Sequence, residues 1–164
     1  MMPLLLRFLK MLGGFAVLWL GIWFFNNFGC QKIESGEMEP ALKREAHKSV
    51  EPKIRAIDQL AIDDLISYSC FIPGKSQPAY AARVLALPGD RVAIKSGDVY
   101  VNGVKIGSSY VASGSKNDPK ENYAEIIVPR DSVYVLCDNR RQFDKSDSRG
   151  VGPVDLWAIN GKFK

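Results

Sequence analysis

Two hydrophobic patterns divide the chain. From Met11 to Phe25 it reads MLGGFAVLWLGIWFF without a charge, and Leu4–Leu6 lengthen the apolar run on the other side of Arg7. A helix needs about 20 mostly apolar residues to cross a bilayer. Leu4 to Phe25 supplies them if Arg7 and Lys10 snorkel to the near interface. Trp19 and Trp23 stand towards the far end, where interfacial aromatics collect. Arg7 and Lys10 before the span, with Asn26 and Asn27 after it, predict a cytoplasmic N-terminus and a domain on the exported side. The exit, FFNNFGCQ, carries no small-x-small cleavage pattern, so an uncleaved anchor over residues 1–28 is expected rather than a removed signal peptide. At Cys30, Asn27 stands where a lipidation site needs an aliphatic residue.

After the anchor the pattern changes to short runs rich in Val, Ile and Tyr, separated by Gly, Pro, Asn and Asp. Arg91–Lys95 and Asp98–Val101 flank a Ser96-Gly97 turn. Asn102-Gly103, the strongest short hairpin signal, then precedes Lys105-Ile106. Leu65–Phe71, Tyr123–Val128, Ser132–Cys137 and Leu156–Phe163 read as further strands, and the polar stretch Ala112–Asn122 as a loop. No helix-period stretch and no repeat follows the anchor. One mainly β, antiparallel domain without parallel crossovers is expected over residues 29–164, long enough to bury a core.

Charge narrows the function classes. The net charge is +4 and the pI about 9.0. Lys43, Arg44, Lys48, Lys53 and Arg55 cluster in a polar stretch with no aromatics interleaved, which argues against a nucleic-acid partner. A solvated loop is expected there, or a surface lying near anionic headgroups. Three cysteines at unrelated spacings and the single His47 give no metal cluster and no redox motif, so no cofactor or metal is expected. A Cys70–Cys137 bridge stays open.

Three segments bear on chemistry: Ser35–Leu42 (SGEMEPAL), Arg83–Val92 (RVLALPGDRV) and Val135–Gly150 (VLCDNRRQFDKSDSRG). On their own terms, Pro88-Gly89-Asp90 is a turn between two strands. Asp138 and Asp147 with Arg140 and Arg149 suit a buried ion-pair network that orders a loop. In this order, behind an apolar anchor, the segments resemble the signature boxes of the bacterial type I signal peptidases, S26-type membrane serine proteases that use a Ser–Lys dyad. The resemblance implies an antiparallel β-sheet domain of the signal-peptidase and LexA-like kind behind one transmembrane helix. It also implies a single-pass protein of the bacterial cytoplasmic membrane, with the lipid bilayer as one partner.

The family's first box reads Ser-Gly-Ser-Met-x-Pro, its second Ser being the nucleophile; here that position holds Glu37. The family's general base is the Lys before the Arg of the second box; here Ala82 precedes Arg83. Acyl transfer needs a nucleophile activated by a neighbouring base. A carboxylate at position 37 also has the wrong sign for a site that stabilises an oxyanion. Losing either group costs on the order of a million-fold in turnover. The resemblance keeps Ser35 as an oxyanion-hole-like donor, Met38 and Pro40, the turn Pro88, Gly89 and Asp90, and Asp138, Asn139, Arg140, Asp147, Ser148 and Arg149. Cys137 replaces the usual Gly, and the stretch between Arg140 and Asp147 is longer than in the family. Counting back from Asp147 puts Lys145 where the family has a Ser that orients the catalytic Lys; two readings stay open, a Lys145 that points into solvent from the lengthened loop and a Glu37–Lys145 pair that replaces the dyad. The implied protein holds an exported protein, a pilin-like substrate or a membrane-complex partner without cleaving it. The alternative is an active endopeptidase for the signal peptides of exported proteins, with Ser35 as nucleophile and Lys145 or Lys75 as base.

Overall fold

The computed structural model describes residues 14–20, 29–33, 36–51, 54–74, 79–107, 109–111, 114–115, 117–141 and 145–164. Residues 14–20 are helical and exposed; the rest of the expected anchor lies outside the described residues. Among the described residues, no helix is long and apolar enough to cross a membrane. From Gly29 onward the chain is antiparallel β. The strands are β1 (Gly29–Lys32), β2 (His47–Val50), β3 (Leu65–Tyr68), β4 (Tyr80–Ala86), β5 (Arg91–Lys95) and β6 (Asp98–Val101). They continue with β7 (Val104–Lys105), β8 (Tyr123–Ile127), β9 (Ser132–Leu136), β10 (Val154–Asp155) and β11 (Ile159–Lys162). They form a ribbon β1-β2, a five-stranded sheet β10-β9-β4-β3-β11 and a four-stranded sheet β7-β6-β5-β8.

Turn chemistry sets the second sheet. Ser96 and Gly97 both take positive φ (51° and 79°), as do Asn102 and Gly103 (52° and 80°), the backbone a two-residue hairpin requires. Between β4 and β5, Asp90 N donates to Leu87 O (3.1 Å) around Pro88 and Gly89, and Gly89 sits at φ 88°. Pro fixes the first central residue and Gly supplies the positive φ of the second.

Alternation sets the core. All of β9 is buried: Val133 and Val135 face one cluster with Ile66, Tyr68, Tyr80, Ala82 and Val84, while Tyr134 and Leu136 face another with Leu85, Val92, Ile94 and Val128. β9 and β4 are therefore covered on both faces, and the second cluster joins the two sheets. A register shift between Val84 and Ala86 turns Leu85 and Ala86 together towards that second cluster.

Three sequence expectations are corrected. β3 stops at Tyr68 rather than Phe71, with a Pro73-Gly74 turn soon after. Leu156–Phe163 opens with a 3-10 turn at Leu156–Ala158 before β11. A short helix, Ser148–Val151, also appears where no helix was expected. Cys70 and Cys137 are free.

Candidate functional site

The first and third boxes dock on each other. Residues 36–42 close as a turn, with Leu42 N donating to Met38 O (2.8 Å). Met38 and Leu42 are buried with Ile33, Ala81, Cys137 and Phe163, so apolar packing seats this turn against β4 and the end of β9. Asn139 N donates to Glu37 O (2.8 Å), Asn139 Nδ2 to Gly36 O (3.3 Å), and Asp138 N approaches Met38 Sδ (3.4 Å). Pro40 is exposed at the outer side of the turn, and Ser35 lies outside the described residues.

Two carboxylates build the frame beneath it. Arg83 Nε and Nη2 donate to the two oxygens of Asp138 (2.9 and 2.6 Å), and that hydrogen bond holds the Arg83 pKa above its ordinary value. Asp147 caps the short helix by accepting Arg149 N (3.0 Å), and its Oδ2 accepts Cys137 N (3.1 Å). Its carboxylate also takes Arg149 Nε (3.1 and 3.2 Å) and Nη2 (2.7 Å). Ser148 Oγ accepts Val135 N (2.9 Å), so both Asp147 and Ser148 reach back to β9. Arg149 Nη1 continues to Arg140 O (2.9 Å), Asn117 Oδ1 (3.2 Å) and Glu121 Oε2 (3.3 Å).

The expected four-membered network is thereby corrected. Asp147 pairs with Arg149, but Asp138 pairs with Arg83, and among the described residues Arg140 has no carboxylate partner although it is 4% exposed. Asn117 and Glu121, within the stretch expected as a loop, complete the Arg149 shell. Their segment is polar throughout, and nothing in its pattern marks which side chains turn inward. Pro88, Gly89 and Asp90 serve a different end of the sheet, where Asp90 accepts Leu87 N and Asn102 Nδ2 (2.8 Å each).

At the expected dyad positions, Glu37 is 2% exposed, and Ala82 is fully buried on β4 opposite Ile66. Lys145 is exposed and at φ 62°; no ion pair joins it to Glu37. A lysine in a lengthened polar loop stays solvated, because burying its ammonium is costly. The buried residue is its neighbour Ser146, fully enclosed, whose carbonyl accepts the Tyr68 hydroxyl (2.6 Å) and the Cys70 thiol (3.8 Å). Ser146 Oγ lies 4.0 Å from Cys137 Sγ. Counting along the motif picked out Lys145; the only signal for Ser146 was its place directly before a buried aspartate.

Glu37 belongs electrostatically to the same cluster. Burial pushes the Cys70 thiol up to about 11 and the Cys137 thiol and Tyr68 hydroxyl well above their ordinary values, and the Glu37 charge adds to each. Protonated groups of this kind are poor nucleophiles and no bases at neutral pH. Among the described residues, no group of three or more His, Cys, Asp and Glu could hold a metal ion.

An antiparallel β domain whose N-terminal turn packs on two Arg–Asp pairs defines the class. The chain belongs to the signal peptidase family S26, whose model, "Signal peptidase, peptidase S26", matches residues 5–164. It is 30% identical to signal peptidase I of Bacillus amyloliquefaciens over 131 residues, 71% of this chain and 70% of that protein. It is 26% identical to signal peptidase I S of Bacillus subtilis over 140 residues, 80% of this chain and 72% of that protein. The crystal structure of a signal peptidase I from Enterococcus faecalis superposes with a TM-score of 0.52 and 27% identity, covering 66% of this chain and all of that one.

Proposed function

We propose that this chain is a non-catalytic signal peptidase I-like protein, anchored in the bacterial cytoplasmic membrane, that holds an exported polypeptide without cutting it. The observation that carries this reading is the chemistry at positions 37 and 82. A buried carboxylate stands where the family's nucleophile is expected, and a buried methyl group where its base is expected. Nothing described nearby substitutes for them. Cys70 and Cys137 are held as thiols, Lys145 faces solvent, and Ser146 is enclosed. A rearranged Ser35–Lys145 dyad would also have to work from displaced positions, and a misplacement of about 1 Å costs on the order of a hundred-fold.

The kept parts support a role for the scaffold. Both Arg–Asp pairs, the Met38 turn and its bonds to Asn139 hold the first and third boxes together around β4 and β9. Recognition of an extended peptide by a strand edge uses backbone hydrogen bonds and side-chain pockets, and needs no dyad.

The deciding assay incubates the purified full-length protein with a secretory precursor, comparing wild type with Glu37→Ser/Ala82→Lys. No cleavage by the wild type and measurable cleavage by the double variant is the expected result. Position 82 is fully enclosed, so burial there would lower the new lysine's pKa, as a general base requires. Cleavage by the wild type overturns the proposal.

A further inference from the structure

The side chain that the frame leaves over is Arg140. It is 4% exposed, its Nε is buried with no hydrogen-bond partner, and among the described residues it makes no ion pair. Burial, the largest cause, draws its pKa below the ordinary value, and neighbouring Arg149 adds to the effect while Tyr110, Asp147 and Asp138 oppose it. Guanidinium groups stay charged in proteins, so this is a buried cation short of counter-charge, an arrangement that is costly unless something pairs with it.

Arg140 lines a cavity of about 110 Å³ with Asn117, Lys105, Asp98 and the backbone of Gly97 and Gly107. Asn117 is 7% exposed, and its Nδ2 is the second buried donor here without a partner. The amide's orientation is fixed from behind, because Oδ1 accepts Arg149 Nη1 (3.2 Å) and the amino group must then point the other way. Among the described residues Asp98 is the one carboxylate in the wall, and Lys105 Nζ already holds it at 2.6 Å. Among the described lining residues, Arg140 and Lys105 against Asp98 leave one net positive charge. One water needs only ~10–15 Å³ of such a cavity, so a group of several atoms fits.

We infer that this cavity is a binding site for a small oxyanion, a phosphate or carboxylate group, held by Arg140 and the Asn117 amino group. A guanidinium is matched in geometry to such an anion and binds it by charge-assisted hydrogen bonds. The site lies between the β6–β7 hairpin and the 117–121 segment. An occupant there neutralises Arg140 and ties that segment to the second sheet. It is separate from the Glu37 cluster and does not depend on whether the chain cleaves peptides.

The test is calorimetric titration of the full-length, detergent-solubilised wild type with inorganic phosphate, with acetate, and with chloride at matched ionic strength. Saturable uptake of phosphate or acetate is expected, and which of them binds tighter names the oxyanion. At a tenfold excess over Kd the thermal midpoint should rise by about 3 °C. Asn117→Asp keeps the acceptor that Arg149 uses but turns a carboxylate towards the cavity. It should weaken uptake by tenfold or more and, with no anion added, raise the midpoint by pairing with Arg140. Arg140→Met should abolish uptake. Lys105→Gln, at an exposed position, should fold like the wild type and bind several-fold more weakly. The inference is overturned by a wild type with no saturable uptake, by an equal midpoint shift with chloride, or by variants that bind as the wild type does.

Discussion

Around Glu37, burial decides what each ionisable neighbour can do. The Cys137 thiol, the Tyr68 hydroxyl and Ser146 meet in a region shut off from water, and the half-buried Cys70 thiol reaches the Ser146 carbonyl from its edge. A thiol reacts with an alkylating reagent as the thiolate. With its pKa pushed up to about 11, Cys70 holds about one thiolate in a thousand at pH 8, against about one in ten at its ordinary value of 9.0. Peptide-level mass spectrometry after iodoacetamide should therefore show Cys70 labelling rise about tenfold per pH unit from 8 to 10, with no plateau near 9. Cys137, fully enclosed, should stay unlabelled until the protein is denatured. Rapid native labelling of Cys137 at pH 8 would contradict an enclosed, thiol-protonated cluster.

Among the elements, the segment from Asp138 to Gly150 does the most with the fewest residues. Asp147 caps the short helix, accepts from the end of β9 and neutralises Arg149, and Arg149 in turn gathers Asn117, Glu121 and the Arg140 carbonyl. Gly150 is required here by close approach: a Cβ would lie 2.3 Å from the Lys145 carbonyl oxygen, so the Lys145 backbone packs against the helix only over a glycine. Asp147→Asn keeps a cap acceptor but removes the carboxylate that pairs closest with the buried Arg149 charge. Removing one partner of a buried pair costs about 3–5 kcal/mol, so urea unfolding should show a loss near the lower figure; a loss under about 1 kcal/mol would mean that water reaches Arg149. Hairpins with strong local turn signals were legible from sequence: the strands flanking Ser96-Gly97 and the turn at Asn102-Gly103 fall at the expected residues, because those pairs tolerate positive φ. That Asp138 pairs with Arg83 rather than Arg140 was not legible, because register and sheet order bring Asp138 under β4, and no local spacing encodes that. Ser146 was missed for a related reason. An insertion shifts the count along the motif, and burial, not position, selects the residue that enters the cluster.

For the molecule as a whole, the candidate docking face lies beside the altered site. Cys70, which reaches Ser146 in the buried cluster, also lines an open groove of about 240 Å³ with Phe71, Val151, Val154 and Trp157. Phe71 is 86% and Trp157 77% exposed, two large aromatics in water on one groove. Single exposed apolar residues are ordinary, but aromatics gathered at a concave site mark recognition surfaces. Trp157 is also held in place, since its Nε1 donates to Asp155 Oδ2 (3.0 Å), which lowers the entropy a partner must remove. If an exported polypeptide lies in this groove, its apolar side chains should seat between the two rings. Phe71→Ala/Trp157→Ala should then recover at least about tenfold less of that polypeptide in pull-downs from solubilised membranes. Both positions are exposed, so the variant's unfolding free energy should stay within about 0.5 kcal/mol of the wild type. Equal recovery by the double variant would move the docking face elsewhere, while leaving the question of cleavage at positions 37 and 82 to the precursor assay.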